Sequence, residues 1–185
     1  MSFLRKTRRR ESCLDRRFPA AGFTLIELVV TLAVAAIIAA IAVPAMQSLI
    51  NSGRLNSMAE ELTTAMQLAR SEAIRRATTV TMCGSANGTT CANGTDWNRW
   101  IIVGRDNAAS DAAGAEVITV IRDSVMPAGM SLTGPAAGVH FNPSGLLNAE
   151  TTVSACLPNA TVSQNQRVVT VLISGSARSS KGSCS

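Results

Sequence analysis

The chain has 185 residues, with 17 Lys and Arg against 12 Asp and Glu and a formal net charge of +5. One histidine, two Trp, four Phe and no tyrosine leave little material for a histidine-based catalytic centre or an aromatic stacking groove. Residues 1–22 hold seven basic and two acidic side chains, so the whole excess lies there and the remainder is formally neutral. A polyanion is therefore not drawn to the rest of the chain over long range, and any nucleic-acid contact there has to be local.

The basic side chains of the leader (Arg5, Lys6, Arg8, Arg9, Arg10, Arg16, Arg17) stop before Gly22, and the apolar stretch Gly22–Met46 follows. From Leu28 to Met46 only Thr31 is polar, and about 20 residues at ~1.5 Å rise span roughly 30 Å of hydrocarbon. A basic segment ahead of such a span predicts a single-pass inner-membrane chain with a cytoplasmic N-terminus and a periplasmic C-terminal domain. Within the span stands one carboxylate, Glu27, which costs roughly 2.5–3.5 kcal/mol in hydrocarbon unless it is paired. An ordinary signal peptide cut near Ala39–Ala42 and a plain anchor are the alternatives. Neither accounts for Glu27, or for a glycine ahead of the apolar run. Pro44 removes a backbone hydrogen bond and predicts a bend.

Over 47–76 the helical period continues. Leu55, Met58, Leu62, Ala65, Met66, Ala69 and Ala73 recur at three- and four-residue steps, while Arg54, Glu61, Thr64, Gln67, Ser71 and Arg75 fall elsewhere. One face is built to cover a sheet. Asn51, Ser52 and Gly53 interrupt the pattern and predict a joint, Glu72 and Arg76 form an i,i+4 pair, and the helix is expected to end near Arg76.

Residues 77–185 turn to β-branched alternation broken by glycine, proline and asparagine. Strands are predicted at Thr78–Cys83, Trp100–Val103, Glu116–Arg122, Met130–Thr133, Val139–Phe141, Thr152–Leu157 and Arg167–Ile173, with a turn at Asn142–Gly145 and polar loops at 84–96, 104–115 and 158–165. A helix followed by a run of strands predicts an α+β domain with antiparallel sheets. Trp100 reads as core, Trp97 as a lid on the sheet.

Cys13 lies in the leader; Cys83, Cys91, Cys156 and Cys184 fall in the exported part, where disulfides persist. Of three pairings, Cys83 with Cys91 brackets a short glycine-containing loop and Cys156 with Cys184 ties down the C-terminus. Zinc is the competing reading, but the spacing and the absence of neighbouring histidines fit it poorly. His140, beside Phe141, reads as a sheet histidine. No nucleophile is marked and no phosphate loop is present, so no catalytic residue, metal or cofactor is expected.

Gly22, Phe23, Thr24, Leu25, Ile26, Glu27 and Leu28, between a basic leader and an apolar helix, resemble the class III signal of type IV prepilins and type II secretion pseudopilins. The resemblance implies cleavage by a prepilin peptidase between Gly22 and Phe23 and N-methylation of Phe23. The new amine then pairs with Glu27 of a neighbour, and Pro44 matches a proline that goes with local unwinding during packing. The segments at 69–76, 80–85, 96–103 and 141–147, with a C-terminal strand ending in glycine, arginine and cysteine, are similar to the GspH/FimT family of minor pseudopilins. That family implies a type IV pilin-like fold, a long N-terminal helix packed on antiparallel sheets. It also implies a structural role among other minor and major pilins or pseudopilins on an inner-membrane assembly platform.

Three functions stand at this point: a type IV pilus subunit, which the cysteine-bearing loop favours, a type II secretion pseudopilin, and a DNA-binding minor pilin. Some FimT-like members bind DNA through a C-terminal glycine, arginine, any residue, arginine motif. Here it reads Gly175, Ser176, Ala177, Arg178, with serine in place of the first arginine. Arg178, Lys181 and Arg167 remain as candidate phosphate contacts, enough for a weak site only.

Overall fold

The computed structural model describes residues 22–110, 116–158 and 163–184, and within these the side chains of 106–110 and 116 are left aside. The leader, including Cys13, lies outside the described residues, as do parts of the two later loops. The chain divides between Ile41 and Ala42 into two units. Among the described residues one helix, α1, runs Leu25–Arg76.

The start of α1 is set by Thr24. Its hydroxyl accepts the Glu27 N–H at 3.2 Å and its carbonyl the Leu28 N–H at 3.2 Å, the N-cap arrangement that satisfies otherwise orphaned donors. The expected joint at Asn51–Gly53 is not there: α1 continues through these residues and through Pro44. Propensity is a weak term, and a glycine costs only about 1 kcal/mol in a helix that packing supports on its far side. The helix ends as expected at Arg76. Ala77 enters the left-handed region with φ of 53°, and the N–H groups of Ala77 and Thr78 return to the carbonyls of Ile74 and Ala73. This double closure is a Schellman cap built without glycine.

Among the described residues of the second unit, eight strands form two four-stranded antiparallel sheets. The first, ordered β3-β2-β1-β5, comprises β1 (Val80–Gly84), β2 (Arg99–Ser110), β3 (Glu116–Val125) and β5 (Val139–Phe141). The second, ordered β4-β6-β7-β8, comprises β4 (Ser131–Thr133), β6 (Thr151–Cys156), β7 (Gln166–Val171) and β8 (Ala177–Gly182). The buried stripe of α1 is Leu55, Met58, Ala59, Leu62, Ala65, Met66, Ala69 and Ala73. It belongs to one core with Val80, Met82, Trp100, Ile102, Val139 and Phe141 of the first sheet and Leu132, Val153, Ala155, Val169 and Val171 of the second.

Three expectations are corrected. Gly104–Ser110, read as part of a polar loop, extends β2 in a long hairpin with β3. The pairing steps from Ile102↔Arg122 to Val103↔Val120, so Ile121 is an extra, bulged residue packed against the core. The C-terminal stretch, beyond the last strand predicted from periodicity, contains β8, an edge strand paired along its length with β7. Trp97 is no lid but core, with no exposed surface. Its backbone N–H donates to Leu132 O at 2.8 Å beside the Asp96↔Thr133 bridge. Glycines at 84 and 134 admit its ring: a Cβ at either position would stand 2.7 and 2.5 Å from ring atoms.

Candidate functional site: assembly helix and domain surfaces

From Gly22 to Gln47 every residue of the chain is exposed, Phe23 and Leu25 at 83%. A window of this helix reaches a mean hydropathy of 2.7. So much uncovered aliphatic surface is unstable in water and calls for lipid or neighbouring helices. Glu27 belongs to the first turn of α1, where a negative side chain favours the helix dipole. Its backbone N–H is capped by Thr24, so the two residues form the front half of a T-x-x-E box. The hydroxyl of Thr31 returns to Leu28 O at 2.9 Å, which removes the cost of a lone hydroxyl in hydrocarbon.

Two covalent staples shape the surface of the second unit. Cys83 is bonded to Cys91, with Cα atoms 5.6 Å apart, and Cys156 to Cys184 at 6.1 Å. Inside the first loop, Asn87 Oδ1 accepts the Thr89 and Thr90 N–H groups at 2.9 and 3.0 Å, and Ser85 Oγ donates to Thr90 O at 2.7 Å. Cys83 and its register partner Ile101 are buried yet stand apart from the main core. At the C-terminus Asn165 repeats the hold of the second disulfide: its side chain donates to Cys184 O at 2.9 Å and accepts Cys184 N–H at 2.8 Å.

Arg76 ties the end of the helix to the first sheet. The bonds from Arg75 and Arg76 hold the Glu72 carboxyl below its ordinary 4.5, and Arg76 continues to Thr119 Oγ1 at 2.9 Å. On the outer face of β2 and β3, Arg99 grips Asp123 and lowers that carboxyl in turn. His140 is exposed on β5, its Nδ1 2.9 Å from Thr81 Oγ1, a sheet-surface contact.

The three candidate phosphate contacts do not come together. Register pairs Arg167 with Lys181 and Thr170 with Arg178. Side chains alternate along a strand, so Lys181 shares a face with Arg167 while Arg178 points to the opposite one. Arg167 is only 4% exposed. Its Nε donates to Asn56 Oδ1 at 2.9 Å, and its Nη1 to the carbonyls of Gln164 and Gln166 at 3.0 and 2.9 Å. The sequence argument treated all three as surface cations. The alternation of β8 carried the correcting signal, hidden because that segment holds no apolar residue beyond Ala177.

Residues 58–177 match the family model described as Type II transport protein GspH, and residues 17–43 match the prokaryotic N-terminal methylation motif. No curated protein matches the chain. Among solved structures it is similar to the type IV minor pilin FimU of Pseudomonas aeruginosa, at 22% identity and a TM-score of 0.48, over 69% of this chain and 88% of that one. It is similar also to the minor pseudopilin EpsH from the Type 2 Secretion System of Vibrio cholerae, at 15% identity and a TM-score of 0.48, over 69% and 97%.

Proposed function

Because this chain belongs to the GspH family of minor pilins and pseudopilins, we propose that it is a structural subunit that helps prime and assemble a type IV pilus. The family implies other pilins or pseudopilins as partners, and the methylation motif with the apolar helix makes the N-terminus a membrane anchor. In this reading the leader stays cytoplasmic, the domain is periplasmic, and the prepilin peptidase cuts between Gly22 and Phe23 and methylates Phe23. The observation that carries it is the motif itself, laid over a capped helix start whose apolar surface is wholly uncovered. The new amine of one subunit pairs with Glu27 of its neighbour once water is excluded, and the neighbours' helices cover residues 23–46 on the assembly platform. Glu27→Ala is expected to leave the domain folded and abolish incorporation; normal incorporation of that variant overturns the pairing.

A second reading, a minor subunit of a type II secretion pseudopilus, is favoured by the description of the matched family model. An in-frame deletion scored for surface pili, DNA uptake and secreted enzymes separates the two: lost pili with intact secretion supports the first, lost secretion alone the second. A DNA-binding role would rest on Arg178 and Lys181, both exposed but on opposite faces of β8. A gel shift insensitive to both Arg178→Ala and Lys181→Ala removes that role.

A further inference from the structure

Arg167 is a buried cation with no ion-pair partner among the described residues. Among the described residues, ion pairs join Glu72 with Arg75 and Arg76, Arg99 with Asp123, and Arg122 with Glu61, and no carboxylate pairs with Arg167. Three of its donors are occupied by neutral oxygens, and Nη2, which has no protein acceptor among the described residues, is not sealed from solvent. A guanidinium taken out of water ordinarily has an anion beside it, because desolvation costs several kcal/mol that neutral carbonyls offset only in part.

Arg167 lines a cavity of 240 Å³ between α1 and β8, together with Asn56, Glu60, Ser179 and Lys181. The register of β7 with β8 brings Lys181 and Ser179 to the Arg167 face. Two cations and a hydroxyl thus meet at a hollow that opens to water beside exposed Lys181 and Glu60.

We infer that this cavity is a carboxylate-binding site, filled by an Asp or Glu side chain of a neighbouring protein subunit. At about 240 Å³ it lies below the ~300–1,000 Å³ of pockets that hold free ligands and has room for a carboxylate side chain. Glu60 on the α1 wall repels a second negative charge, so one anion is accepted and a phosphodiester tract is not. Arg178, which a tract would need, faces the other way. Nη2 donates to one carboxylate oxygen, and Lys181 and Ser179 are at hand for the other. That the neighbour is a filament subunit rests on the function proposed above; the carboxylate chemistry does not.

The test uses the full chain in detergent micelles, following the Arg167 Nε–Hε resonance while a capped pentapeptide with one central glutamate is added. Glutamine-centred peptide, acetate, inorganic phosphate and a single-stranded oligonucleotide run in parallel. A saturable shift with the glutamate peptide, absent with glutamine and weaker with acetate, is the expected result. Lys181→Gln should weaken and Glu60→Gln should tighten binding, each by roughly three- to tenfold, because each changes one partly screened charge beside the anion. Both positions are exposed, so neither variant endangers folding as Arg167→Ala does. Three results overturn the inference: no discrimination between glutamate and glutamine, indifference to both variants, or phosphate, oligonucleotide or acetate binding as tightly as the peptide. The probes are free in solution, so failure here leaves the filament reading standing, and normal assembly of Glu27→Ala leaves this site standing.

Discussion

The guanidinium of Arg122 lies 5.4 Å from the centroid of the Trp100 ring, and its Nη2 stands 3.0 Å from Glu61 Oε1 on α1. One β3 side chain thus covers a buried indole and ties the helix to the sheet, with Ser124 Oγ adding a second bond to Glu61 at 3.0 Å. Both ionic partners are about one third exposed, so the ion pair itself is worth less than about 1 kcal/mol. The cation over the ring adds about 0.5–1 kcal/mol. Arg122→Ala is expected to cost about 1–2 kcal/mol in thermal unfolding of the full chain. No further loss on adding Arg122→Ala to Glu61→Ala would assign the whole effect to the ion pair and none to Trp100.

Acid should loosen the same seam from the helix end. The hydrogen bonds from Arg75 and then Arg76 depress the Glu72 carboxyl below its ordinary 4.5. A depressed carboxyl stabilises the fold fully above the unfolded value, and that contribution is lost as pH falls through the folded one. The unfolding midpoint should therefore drop below about pH 4.5, and the drop should be shallower in Glu72→Gln. Asp123, lowered by Arg99, shifts in the same sense but is exposed and should fade with added salt. An identical pH profile for Glu72→Gln would show that Glu72 has no part in it.

The sequence exposes what repeats and hides what depends on partners. The apolar stripe from Leu55 to Ala73 is legible because the helical period forces it to one side. The Glu72–Arg76 pair is legible from spacing alone. β8 is not, since Ala177–Gly182 carries no hydrophobic alternation and is held by pairing with β7 and by the disulfide at Cys184. Gly104–Ser110 is likewise polar, and only its hairpin partner makes it a strand. Arg167 sits in a strand pattern at a core-facing position, and a charge there is read as exposed until the oxygens that receive it are known.

Ala77 offers a gain in stability. It holds φ of 53° at the cap of α1, a conformation that costs an L-residue with a Cβ roughly 1 kcal/mol and costs glycine nothing. It is exposed, so no packing is lost on removing its methyl. Ala77→Gly should stabilise the domain by about 0.5–1 kcal/mol, read as a rise in the denaturant midpoint at unchanged slope. A fall would mean that the looser unfolded chain outweighs the relief of strain.

Gly175 should behave in the opposite way. It sits in the turn between β7 and β8 with φ of +77°, and a Cβ there would stand 2.3 Å from Gly145 O and 2.8 Å from Arg70 Nε. Its neighbour Ile173 accepts the Leu147 N–H at 2.9 Å, so this turn and the Asn142–Gly145 turn are packed together. Gly175→Ala has to open that contact as well as adopt a strained φ, and a loss of about 2 kcal/mol or more is expected. Ser176→Ala, next along the turn, should cost far less. Equal losses would locate the effect in the turn's sequence generally rather than at the close approach.

The two disulfides should differ in what they contribute. Cys156 and Cys184 are 28 residues apart, Cys83 and Cys91 only 8. Chain-entropy arguments give about 3.5 kcal/mol for closing the longer loop and about 2.5 kcal/mol for the shorter. The native contacts work against that order, because Asn165 still holds the Cys184 backbone through two hydrogen bonds after the sulfur bridge is gone. Cys184→Ser should therefore lower stability by about 2–4 kcal/mol, and the further change to Asn165→Ala should release β8, seen as fast amide exchange from Arg178 to Lys181. If Cys184→Ser alone frees those amides, the disulfide and not Asn165 anchors the edge. If neither does, the ladder with β7 holds β8 unaided.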